Sequence, residues 1–237
     1  MVKNYKSSLL IILLIFSLLT PFLNLNVLGQ DLEKIITKES DEIYLLKDIE
    51  INTQQKTVIL PCTVNMTSGL LEVILCRPEG KTHESLFKTN VTPLEFQTAL
   101  LLLGLDPVNE LPENESEEDP LSPYKTIETP GDSIRIFLEF EKEGKTERMP
   151  VEHFIRDERT QKAVTNCSWL FRGATTHKSG IVFIEPDLTM VATYHDPLAL
   201  IELNNPDKWD DELFYVNTNA GLSENQPVKL IFQLISK

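Results

Sequence analysis

The chain has 237 residues, with 36 Asp and Glu against 22 Lys and Arg, a formal charge of −14. That surplus of acid repels nucleic acid and anionic lipid, and it excludes both as partners. Three cysteines, Cys62, Cys76 and Cys167, are widely spaced and odd in number, so they cannot all pair within one chain. Either one stays a thiol or all three do.

Residues 1–29 carry Lys3 and Lys6 ahead of an apolar stretch that begins at Leu9, the charge-then-hydrophobic order of a secretory signal. Val27 and Gly29 are small enough to flank a cut before Gln30. The expectation is therefore export to the periplasm or another extracytoplasmic compartment, with an uncleaved N-terminal anchor as the alternative. No later segment is apolar and long enough to span a bilayer. The remainder, 30–237, is two charges more acidic and is read as a single domain with one sizeable core.

In chain order, 42–49 (EIYLLKDI) and 56–64 (KTVILPCTV) read as strands, and 56–76 as a hairpin turning near Asn65–Gly69. Pro61 removes a ladder donor and favours an edge or a bulge. Thr92 as cap, Pro93 at the first position, Glu95 three residues after the cap and Gly104 as the stop predict a helix over 93–103, dense in Leu and Ala. Residues 106–131 hold five prolines and the acidic run ELPENESEEDP, which reads as a long exposed loop.

Beyond it, DSIRIFLEF (132–140) alternates as a half-buried strand, with Glu143-Gly144-Lys145 as its turn and 146–149 as a short return. Strands are expected at 169–173, 180–184, 188–194 and 228–235. Asp196-Pro197 ahead of LALIEL repeats the cap-then-proline signature and predicts a short helix at 197–203. The fold class expected is α+β, mostly antiparallel β and sandwich-like, with those two helices.

Three stretches carry a resemblance. GLLEVILCRPEGKTHESLF, FQTALLLLGLDP and TYHDPLALIELNNP, with a terminal QPVKLIFQL, are similar to the YdjY-domain family of exported bacterial proteins, and GKTHESL is the most specific string. The resemblance implies a single exported domain and supplies no reaction. A bacterial chain would make little use of the glycosylation acceptor patterns at Asn65, Asn90, Asn114 and Asn166. Some family members are labelled ferredoxin-like because of clustered cysteines. This chain lacks such a cluster, so an iron–sulfur centre is not expected.

The string Gly80–Phe87 sets a cation, an imidazole, a carboxylate and two hydroxyls side by side. A zinc protease needs a second histidine four residues after the first, and Phe87 stands there. Three readings remain: side chains bonded to their own backbone, a docking surface, or a metal site gathering His83, Glu84, His195 and Asp196. No serine lies in a nucleophile elbow, and no phosphate loop or dinucleotide fingerprint is present. His153 and His177 read as surface or turn residues. Trp209, inside the acidic segment 207–212, could anchor a partner.

The function expected is an exported, non-catalytic binding or assembly protein, such as an accessory or scaffold subunit of an extracytoplasmic redox complex. A protein partner or self-assembly is implied, without nucleic acid, without membrane after cleavage and without a cofactor. The binding residues expected are Lys81, His83, Glu84, Ser85 and Trp209. The alternative is a metal-binding protein or metal-dependent hydrolase, in which a divalent metal sits on His83, Glu84, His195 and Asp196.

Overall fold

A computed structural model describes residues 36–107, 131–165, 167–176, 182–184, 188–196 and 198–235. The signal-like segment 1–29 and most of the acidic loop read at 106–131 lie outside the described residues. None of the described helices is long and apolar enough to cross a membrane.

The chain opens with strands β1 (Ile36–Lys38), β2 (Ile43–Leu46) and β3 (Ile49–Asn52), which form an antiparallel meander onto β4 (Thr57–Val64). The run 42–49 is thus two strands and not one. It breaks at Lys47, which takes a left-handed φ of 53° without the glycine that usually marks such a turn. Lys47 pairs with Glu95 across the chain.

Next come β5 (Val73–Cys76), β6 (Ser85–Lys88) and the helix α1 (Pro93–Leu103). The helix has the predicted bounds for the predicted reasons. Glu95 N donates to Thr92 Oγ1 at 3.2 Å and Thr92 N donates to Glu95 Oε2 at 2.9 Å. Gly104 turns left-handed at φ 102° and its amide closes on Leu100 and Leu101. Phe96, Ala99, Leu100 and Leu103 are buried, and the Phe96 ring lies 4.7 Å from that of Phe232.

The second half contributes β7 (Asp132–Lys142), β8 (Lys145–Pro150), β9 (Ile155–Asp157), β10 (Lys162–Ala163), β11 (Ser168–Phe171), β12 (Thr175–Thr176), β13 (Val182–Phe183), β14 (Thr189–Ala192), β15 (Ile201–Asn204), β16 (Phe214–Val216) and β17 (Pro227–Leu234). Eight strands close on themselves in the order β4-β17-β7-β11-β15-β14-β5-β6, and β6 returns to β4 through Thr63↔Lys88 and Val64↔Phe87.

This closed barrel replaces the expected sandwich. Period-two alternation appears on β7, where Ile134, Ile136, Leu138 and Phe140 are buried. Alternation reports a face and not a partner list, so it cannot separate a closed sheet from two stacked ones. The helix expected at 197–203 is also overturned. Asp196 Oδ1 accepts from Leu198 N, Asp196 O accepts from Ala199 N, and the chain then runs extended as β15. The capping group is in place, but β15 fills the slot between β11 and β14, and its ladder bonds outweigh one turn of helix.

The hairpin read at 56–76 is corrected as well, because β6 stands between β4 and β5. Pro61 lies inside β4, opposite Lys229 on β17. Its carbonyl accepts from Thr89 Oγ1 at 2.7 Å. A strand residue aims its N–H and C=O at the same neighbour, so the missing amide faces the interval where β4 exchanges β3, paired over Thr57–Ile59, for β6.

None of the three cysteines is in a disulfide, with Cys62 and Cys76 buried and Cys167 partly so. Burial, followed by the Glu152 carboxylate, pushes Cys167 up to about 12, and burial also pushes Cys62 up. An aromatic disulfide reagent at pH 8 is expected to label none of the three in the native protein and all three after denaturation.

Candidate functional site

Two of the eight barrel contacts are parallel, β5 with β6 and β14 with β15. Parallel neighbours usually need a crossover of a dozen or more residues. Here each crossing takes eight: 77–84 (RPEGKTHE) and 193–200 (TYHDPLAL). These are the two stretches that carry the candidate motifs. Because β5 and β14 are antiparallel neighbours, with Ala192 opposite Val73, both connections meet at one end of the barrel. Thr193 N donates to Glu72 O at 2.8 Å and Thr193 Oγ1 to Leu71 O at 2.7 Å, while Glu72 N donates to Glu84 O at 3.3 Å.

The connections are joined by an ion pair, Lys81 Nζ donating to Asp196 Oδ2 at 3.0 Å. Behind it lies a buried carboxylate. On β15, Ile201 and Leu203 share the core face with Trp169 and Phe171 of β11, so Glu202 points to the opposite face, where solvent would be expected. It is instead fully enclosed. Arg172 Nη1 donates to Oε2 at 2.7 Å, Lys208 Nζ donates to Oε1 at 2.8 Å, and His195 Nδ1 lies 2.7 Å from Oε2.

A carboxylate only accepts, so Nδ1 carries the proton. Burial alone would raise the Glu202 carboxyl; the His195 hydrogen bond, the Arg172 charge and the Lys208 hydrogen bond outweigh it and hold it at about 2.

The cover over Glu202 is the segment 205–212. Lys208 anchors it from within, His195 N donates to Lys208 O at 2.7 Å, and Arg159 ties Asp207 to Asp157. On top stands Trp209, 40% exposed, with its ring centroid 4.3 Å from that of His195. Glu72 lies alongside. Burial, then Glu84 and Asp211, push its carboxyl upward.

The sequence-derived candidates are placed as follows. Lys81 reaches Asp196, and Trp209 reaches His195. His83 Nε2 lies 3.5 Å from Glu84 Oε2. Ser85 is buried in β6 and donates to Phe87 O at 2.8 Å. The His83 side chain is 78% exposed and that of His195 is 2% exposed. Among the described residues no group of three or more His, Cys, Asp or Glu is arranged to hold a metal.

Sequence reasoning missed Glu202, Arg172, Lys208 and Glu72. Each reads as an ordinary charged residue, and the only available signal was Glu202 inside the apolar run LALIEL.

Comparison with known proteins adds one finding. Searches of curated proteins and of solved structures return no match. The model of the YdjY domain matches residues 49–182, which includes the 77–84 connection and Arg172 and stops short of His195, Asp196, Glu202 and Lys208. With more than half of its length matched, the chain belongs to the YdjY-domain family.

Proposed function

We propose that this protein acts by binding or assembly outside the cytoplasm and not by catalysis, through the face built from the 77–84 connection and the segment 205–212. One observation carries this reading: Trp209 is held exposed on a segment that is itself clamped from beneath by a buried ion network. Holding a large aromatic side chain rigid in solvent costs apolar exposure, which contact with a partner would recover. The polar groups that resemble catalytic parts are occupied structurally. His195 and Lys208 serve Glu202, and Lys81 serves Asp196. The signal-like residues 1–29 support an extracytoplasmic setting. An accessory or scaffold subunit of a redox complex is the assembly we favour.

The test is a photo-crosslinking residue at position 209 of the full chain, expressed in cells that export it. A discrete adduct at 209, absent when the crosslinker replaces exposed Asp41, is expected. No adduct overturns the reading. So does stoichiometric divalent metal in the protein purified without chelator and lost in His83→Ala, which would establish the metal site instead.

A further inference from the structure

The charges at this face are unequally committed. Lys81 is engaged by Asp196, Lys208 by Glu202, and Arg159 by Asp157 and Asp207. Glu72, Asp210, Asp211 and Glu212 have no ion pair among the described residues, and the last three are exposed beside Trp209. The surface is an aromatic ring, with the His195 ring at 4.3 Å and Lys208 Nζ at 5.6 Å from its centroid, fringed by carboxylates in excess of the cations beside them: Lys81 and His83 only partly offset the charge around Glu72. A ring face attracts ammonium and guanidinium groups, and its apolar area suits the methylene stems that carry them.

Resting on the binding reading above, we propose that the partner contributes a basic protein segment, with a Lys or Arg side chain lying on Trp209 and its charge facing Glu72, Asp210 and Asp211. Burial and crowding by Glu84 and Asp211 already push the Glu72 carboxyl upward, and a partner's cation would relieve that crowding. A divalent ion fits less well, because no three ligands converge among the described residues and an ion makes no use of the indole. The charge is also placed to steer encounter with a basic partner and to make association fall with salt.

The chain's two tryptophans provide the readout. Trp169 is buried and Trp209 exposed, so acrylamide quenching reports position 209. The probes are a short Lys/Arg–Gly–Ser peptide, the same peptide with Gln or Glu at the basic positions, and spermine, each added to the full chain. The basic peptide is expected to shield Trp209, and the Gln and Glu peptides are not. Affinity should weaken about tenfold in the double variant Glu72→Gln, Asp211→Asn and stay unchanged in Asp41→Asn.

Equal shielding by the Gln peptide overturns the charge assignment while leaving a binding face. Equal affinity for spermine overturns the protein segment in favour of a free polycation. Binding that survives the double variant, or that survives Trp209→Ala when read from the fluorescence anisotropy of a dye-labelled basic peptide, overturns the site. Loss of the 209 adduct in cells is the separate result that removes the binding reading itself.

Discussion

Glu202→Gln is expected to lower the unfolding free energy by about 3–5 kcal/mol, because three enclosed cationic or protonated groups lose the carboxylate that justifies their burial. Arg172, His195 and Lys208 all converge on that one side chain, which has no contact with solvent. Urea unfolding measures the loss directly. A thermal midpoint lower by about 6–20 °C should accompany it.

The same carboxylate sets an acid limb. Its folded value of about 2 lies below the ordinary 4.5. The stability it supplies is complete above the unfolded value and drains as pH falls from about 4.5 toward 2, amounting to about 3 kcal/mol. Glu202→Gln should flatten that portion of the stability–pH curve. Because Lys208 pins the segment beneath Trp209, acrylamide access to Trp209 should also rise in the variant before global unfolding. A flat response in stability and in access together would mean that the network neither holds the fold nor rigidifies the face.

Phe232→Ala is expected to cost about 3–5 kcal/mol. The ring is fully buried on β17, the strand that pairs with both β4 and β7, and it meets Phe96 of the helix at 4.7 Å. The helix is bound to the barrel mainly by the face that carries Phe96, Ala99, Leu100 and Leu103. Hydrogen exchange should therefore show the helical amides from Phe96 to Leu103 losing protection before those of β7. Phe232→Leu should cost less than the alanine variant, since most of the volume is kept. Equal protection of helix and barrel in Phe232→Ala would show that the capping box and Glu95 suffice to hold the helix in place.

How much of this was legible beforehand depends on the range of the interaction. The helix Pro93–Leu103 was readable to the residue because its signals, Thr92, Pro93, Glu95 and Gly104, all act within one turn of the chain. The strand at Asp132–Lys142 and its turn at Glu143-Gly144 were readable for the same reason, since a period-two pattern and a left-handed pair are local. Local signals also produced the errors. Asp196-Pro197 has the chemistry of a helix start, and Asp196 does bond to the amide of Leu198, yet the following residues complete a barrel strand. Lys47 turns left-handed with no glycine to announce it.

The candidate site divides along the same line. His83, Glu84 and Trp209 stand out in the sequence as unusual residues in unusual company, whereas Glu202 and Lys208 do not, because what distinguishes them is enclosure. A glutamate on a strand is buried only if something covers it, and the groups that close over this one come both from before the strand, Arg172 and His195, and from after it, Lys208.

By itself the sequence determined the acidic surplus, the helix and its ends, the alternating strands and the family string around His83. The tertiary structure decided that the sheet closes, that β5 and β14 become neighbours, and that two eight-residue connections more than a hundred positions apart meet through Lys81 and Asp196. The physical reason is that propensity and periodicity act over a few residues. The pairing of strand edges is a choice among many equivalent partners, settled only when every buried N–H, carbonyl and charge has found one.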